Sequence, residues 1–159
     1  MPLDRAWIET RIPHHGRMCL LDEVLDWDAH RIRCRSGTHR CADHVLRAYG
    51  RLGVACGIEY AAQAMAVHGV LVAGPAAGSP RAGYLASVRG VRLEVARLDD
   101  IAGDLICEAT RVAGDQDSVV YEFAIRAAKN QIGYSARGTD IATLLSGRAT
   151  IALQDAKRP

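Results

Sequence analysis

Glu59 and His44 are the two residues whose types and surroundings best suit proton transfer. Glu59 stands in the run VACGIEYAAQAM, where Val54, Ala55, Ile58, Ala61, Ala62 and Met65 offer it no cation. Burial among such neighbours disfavours a carboxylate, so the group would stay protonated near neutral pH. A protonated carboxyl can donate, which is what a general acid does. The competing reading is an ion pair between Glu59 and an arginine from a distant strand, and the residues alone leave both open. Gln63 follows one helical turn later, within reach of the carboxyl or a nearby backbone group. His44 lies in CADHVLRAYGRLG, a stretch with the character of a loop leading into the helix. A neutral imidazole is the usual base at this pH, though a loop histidine is more often a surface residue.

Other chemistries are poorly provided for. His39, Cys41 and His44 suggest metal ligation, but their spacing fits no common ligand pattern, so neither a metal nor a cofactor is expected. No nucleophile elbow, P-loop or dinucleotide fingerprint is present. Gly50, Gly53 and Gly57 are spaced for the start and close packing of a helix, not for cradling phosphate. His14 and His15 sit beside Pro13, and His68 is expected to be packed or hydrogen-bonded within its helix.

The elements that must position these residues read in a clear order. Met18–Trp27 and Arg31–Ser36 have strand character and are joined by the polar turn Asp28-Ala29-His30. Arg31, Arg33 and Arg35 alternate with Ile32 and Cys34, which puts three guanidiniums on one face. Val54–Ala73 is an apolar run of membrane-spanning length, yet Glu59, Gln63 and His68 within it would be costly in lipid. It is read as a helix buried on all sides inside a soluble protein. The Gly- and Pro-rich stretch 74–83 is a loop. The segments Tyr84–Leu98 (with a bend or bulge at Gly90), Leu105–Ala113, Ser118–Ala128 and Gly147–Leu153 follow as strands, with a hairpin turn at Gly114–Asp117. Lys129–Leu145 shows no clear pattern, and no role is assigned to Gln131–Leu145. Two strands, a buried helix and a run of antiparallel strands indicate an α+β fold, a sheet wrapped around one helix.

Composition narrows the function classes. The chain has 159 residues, 49% apolar and 24% charged, with a net charge of +2, which suits one compact domain over 1–159. Aromatics are only 5% and the arginines are scattered, so no nucleic-acid partner is expected. Five cysteines without a C-x-x-C pair, behind a start (MPLDRAWIET) that lacks an apolar leader, imply reduced thiols and a cytoplasmic location.

Three stretches carry a resemblance. IPHHGRMCLLDEVLDWD (12–28) resembles the opening motif of the bacterial β-hydroxyacyl-acyl-carrier-protein dehydratases, which have the hot-dog fold. GIEYAAQAMAVHG (57–69) resembles the start of their central helix, and DHVLRAYGRLG (43–53) sits where they carry a histidine loop. The likeness is greatest to the branch linked to aryl-polyene biosynthesis and covers about residues 8–153. It implies a hot-dog fold and dehydration of a 3-hydroxyacyl thioester on acyl carrier protein to the trans-2-enoyl thioester, in fatty-acid or aryl-polyene-type biosynthesis. His44 takes the position of the catalytic base and Glu59 that of the catalytic acid. Gly53 matches the glycine whose backbone N–H faces the thioester carbonyl. Val45 stands where the family commonly has proline, and the spacing from Gly53 to Glu59 is one residue longer than in the main dehydratases.

With that chemistry, Met18, Leu20 and Met65 are expected along an acyl tunnel beside the helix. An acidic carrier protein needs a basic docking site, for which Arg31, Arg33 and Arg35, or Arg47 and Arg51, are candidates; the alternative is a solvated strand face. The superfamily's sites form between subunits, so a homodimer or a heterodimer with a related hot-dog subunit is expected. Two other functions stay in view: a non-catalytic or partner-dependent subunit of a paired dehydratase, and a hot-dog thioesterase in which an ionised Glu59 activates water.

Overall fold

The computed structural model describes residues 2–78, 81–128 and 141–154. The short helix α1 (Arg5–Glu9) is capped by Asp4, whose side chain accepts the Trp7 N–H at 3.0 Å. Strands β1 (Glu23–Trp27) and β2 (Arg31–Ser36) pair antiparallel across a turn in which Asp28 Oδ1 accepts the amides of His30 and Arg31. The first strand starts later than Met18. Residues Gly16–Met18 form a 3-10 turn, and the backbone of Leu20 is taken up by side chains: its N–H donates to Gln63 Oε1 at 2.8 Å and its carbonyl accepts from Thr38 Oγ1 at 2.9 Å. A backbone satisfied in that way has no need of a ladder.

The central helix α2 (Gly57–Ala73) follows a 3-10 turn at Val54–Cys56 and stops at Gly74, whose φ of 72° suits glycine. Strands β3 (Gly83–Leu93), β4 (Leu105–Gly114), β5 (Ser118–Ala128) and β6 (Ile141–Leu153) complete a six-stranded antiparallel sheet of order β1-β2-β4-β5-β6-β3. The sixth strand begins at Ile141 rather than Gly147; the remainder of the unpatterned stretch, 129–140, lies outside the described residues. Gly90, at φ 60°, falls inside a register shift between Arg89 and Arg92, which is the bulge its position suggests. The third strand ends at Leu93 instead of reaching Leu98, because the chain turns to meet the approach to α2: Val54 N–H donates to Ala96 O and Leu98 N–H to Leu52 O.

Helix α2 lies across one sheet face. Cys34, Cys107, Ile125 and Leu145 occupy paired positions on four neighbouring strands, and all four are fully buried. Gly57 brings the helix onto this row; a Cβ there would stand 2.7 Å from Leu145 Cδ2 and 3.3 Å from Ile125 Cγ1. Burial of the helix on all sides does not hold. Ile58, Glu59, Ala62, Ala66, Gly69 and Val70 remain partly or fully open, at the three- and four-residue spacing of one helix face. The chain's own sheet covers one side of α2 only.

Candidate active site

Glu59 lies in the first turn of α2, at the boundary of this open face. Its side chain is 42% exposed, and Oε1 accepts from Gln63 Nε2 at 3.1 Å and lies 3.3 Å from His14 Nε2. Both features correct the expectation of a carboxyl sealed among apolar side chains without a charge partner. The open helix face admits water, and the N-terminal segment carries His14 to it. Among the described residues no distant-strand arginine makes the contact. Gln63 is almost fully buried and holds three groups at once: it also donates to Met18 O at 2.8 Å and accepts the Leu20 N–H. The amide thereby clamps segment 18–20 to the helix and fixes one oxygen of Glu59.

His44 is 7% exposed and sits in a different hydrogen-bond chain. Its Nδ1 accepts the Leu46 N–H at 3.1 Å, so in the neutral ring the proton is on Nε2. Nε2 is 2.8 Å from the Tyr60 hydroxyl, which is 2.8 Å from Thr38 Oγ1. Donation thus runs from His44 through Tyr60 and Thr38 to Leu20 O. Burial, helped by the Arg47 guanidinium, lowers the His44 pKa and keeps the ring neutral at pH 7. In this arrangement its one lone pair is already spent on a backbone amide. Tyr60, Thr38 and His14 were given no role from the sequence; the Tyr60 hydroxyl matters because His44 folds onto it.

The Gly53 φ is −62°, and its neighbours Val54 and Leu52 make the hydrogen bonds of its bridge with Arg97. In an antiparallel bridge of that kind the Gly53 N–H points away from the Arg97 segment. Leu20 and Met65 are core residues, whereas Met18 is half exposed. A groove of ≈ 440 Å³ lies elsewhere, on the sheet face away from α2, lined among others by Arg89, Glu108, Glu122, Arg126 and Arg148.

The alternating arginines are matched by carboxylates. Arg31 pairs with Asp26 at 3.2 Å, Arg33 with Asp26 and Glu108 at 2.8 and 3.4 Å, and Arg35 with Glu23 and Asp104 at 2.7 and 2.9 Å. This face is a cross-strand charge ladder, not a bare basic strip. Arg47 donates to Cys41 O at 2.9 Å and lies 3.7 Å from Asp99, while Arg51 is exposed on the turn before α2. His39 is fully buried and Nε2 is 3.0 Å from Ile101 O, so it and His44 face different partners. Among the described residues no group of three His, Cys, Asp or Glu side chains is placed to hold a metal.

Comparison with known proteins bears on this geometry. A search of curated proteins finds no match. Among solved structures, the dehydratase heterocomplex ApeI:P from Xenorhabdus doucetiae is similar over 98% of this chain and 92% of that one, with a TM-score of 0.72 and 22% identity. A thioesterase from Haemophilus influenzae (TM-score 0.56, 12% identity, 86% and 80% of the two chains) is also similar. So is zebra fish thioesterase superfamily member 2 (0.59, 12%, 94% and 95%). At these identities the likenesses establish the hot-dog fold. Residues 6–139 match the ApeP-like family, described as ApeP dehydratase, and with most of its length inside that match the chain belongs to the ApeP-like dehydratase family.

Proposed function

We propose that this chain is one half of a paired hot-dog assembly that dehydrates a 3-hydroxyacyl thioester carried on acyl carrier protein, with Glu59 as general acid. The observation that supports it best is the placement of Glu59: a carboxyl in the first turn of the core helix, fixed through one oxygen and half open on a helix face that is only partly covered. In the reaction a base removes the α-proton, and N–H groups at the start of α2, Gly53 among them, stabilise the enolate oxygen. The C3–O bond breaks as Glu59 gives its proton to the departing hydroxyl, leaving water and the trans-2-enoyl thioester. Because Glu59 is half exposed, the acid form would arise when substrate and the second subunit cover the helix face and exclude water.

The base is His44 if the Tyr60 and Leu46 contacts both open and the ring changes tautomer, freeing Nε2 to accept the proton. A second reading is favoured by the same ring geometry. With both nitrogens engaged, His44 is a structural residue here, the proton-abstracting base comes from the other subunit, and the chain is active only when paired. The ApeI:P relative is a heterocomplex, which agrees with a hot-dog partner of a different sequence. Among the candidate docking arginines, Arg51 is exposed beside the helix start, whereas those of β2 are paired with carboxylates. The assembly would work in the cytoplasm, in fatty-acid or aryl-polyene-type synthesis.

The test is enoyl absorbance from a carrier-bound 3-hydroxyacyl thioester, with the chain alone and with its co-expressed partner. Glu59→Gln should reduce turnover about 10²-fold or more in the active form. Turnover unchanged by Glu59→Gln would refute the reading. His44→Ala abolishing turnover assigns the base to this chain; indifference to it assigns the base to the partner.

A further inference from the structure

His14 is the one histidine of the described structure whose polar contacts look only toward the candidate acid. Its Nε2 is 3.3 Å from Glu59 Oε1, and its Nδ1 is buried with no hydrogen-bond partner. A buried ring nitrogen without a partner carries a desolvation cost that an apolar side chain would avoid. His39 Nδ1 is likewise without a partner, so what sets His14 apart is that its other nitrogen faces Glu59. The same Glu59 oxygen also accepts from Gln63, and Gln63 is immobilised by its bonds to Met18 O and the Leu20 N–H. Two nitrogens from two chain segments thus converge on Oε1.

We propose that His14 is a positioning residue for Glu59: together with the Gln63 amide it occupies Oε1, so that the transferable proton of the carboxyl is carried on Oε2. This deepens the dehydratase reading and rests on it. A carboxyl has one proton, and Oε1, which accepts the Gln63 N–H and in this proposal also faces the protonated Nε2 of His14, is the wrong place for it. With Oε1 occupied, the proton that leaves with the hydroxyl comes from Oε2. The rotamer that aims this oxygen is fixed before substrate arrives, which is how positioning contributes to rate. His14 touches no reacting atom in this scheme.

The experiment uses the chain with its co-expressed partner. His14→Leu keeps bulk but removes the nitrogen, and should lower kcat about tenfold with KM changed less than about twofold. His14→Gln, whose amide nitrogen reaches about as far as Nε2, should stay within about threefold of the parent. Equal kcat in the parent and His14→Leu overturns the proposal, as does an equal loss in both variants.

A second measurement does not depend on activity. The imidazole ¹⁵N resonances of His14 should move when Glu59 is replaced by Ala, while those of His68 stay in place. Unmoved His14 resonances overturn the pairing. Absence of enoyl product from the parent complex overturns the dehydratase reading instead, and a His14 spectrum that still responds to Glu59 then upholds the pairing by itself.

Discussion

Three histidines show how one residue type is put to different uses by its surroundings. His39, His44 and His68 are buried, and burial is the main cause that lowers the pKa of each from the ordinary value of 6.5. His68 is fully satisfied as a neutral ring: Nε2 donates to Asp28 O and Nδ1 accepts from the Tyr121 hydroxyl, both at 2.9 Å. A folded state that resists protonation loses stability once the unfolded chain begins to bind protons. Stability from these groups is therefore complete at neutral pH. It falls as pH drops below about 6.5 and continues to fall until the lowered native values are reached. Urea midpoints should decrease between pH 7.5 and 5, and His68→Gln should flatten that slope. An unchanged midpoint across the range would mean that the rings are not buried neutral. The Asp99 carboxyl, which Arg97 holds well below the usual carboxylate range, also loses its contribution as pH falls, but only at the more acidic pH where the unfolded carboxyl begins to bind protons.

At the scale of elements, packing of α2 on the sheet sets what its glycines must be. Gly57→Ala places a methyl 2.7 Å from Leu145 Cδ2, against a fully buried row, and should destabilise the fold by about 1–3 kcal/mol. Gly53→Ala meets nothing within 4 Å and has a φ of −62°, so stability should be unchanged or rise by about 0.4–1 kcal/mol. Denaturant midpoints of the two variants separate a helix held by close approach from one that merely starts at a glycine. The same elements mark the limit of what the sequence could tell. The helix, the β1–β2 turn and the Gly90 bulge were readable because apolar runs, turn residues and a lone glycine are local signals. The open face of α2 was not, because alanines occupy both its covered and partly open sides and give no periodicity. The alternation of Arg31, Arg33 and Arg35 revealed a face, but the carboxylates that neutralise it come from β1, β4 and the approach to β4. Met18–Asp22 looked like strand because apolar content does not show that side chains will satisfy the backbone of Leu20.

At the scale of the whole molecule, the sheet is closed on one side by a short strand and left open on the other by a long one. β3 has eleven residues and, among the described residues, pairs with β6 alone, which leaves its outer edge without a ladder partner there. Tyr84, Leu85, Val91 and Leu93 on this strand are exposed large apolar side chains. Edges that must stay single are usually short, charged or covered; this one is eleven residues long, and its two charges, Arg89 and Arg92, flank the Gly90 bulge toward one end. The partly open face of α2 adds a second surface, with Glu59 at its boundary. A second subunit adding its own edge to β3 would extend the sheet, the mode of association that an open edge favours. Leu85→Lys together with Leu93→Lys should therefore weaken association, with itself or with the co-expressed partner, by about 10-fold or more in Kd, the scale set by losing one to two central apolar contacts. Sedimentation of the parent and the double variant measures this, and circular dichroism checks that the fold is kept. If association is lost and turnover of the carrier-bound thioester disappears with it, the second subunit completes the site. If association is lost and turnover persists, Glu59 and His44 of one chain suffice, and the Tyr60 and Leu46 contacts must open without help. If association survives, the partly open face of α2 and not the β3 edge holds the pair together.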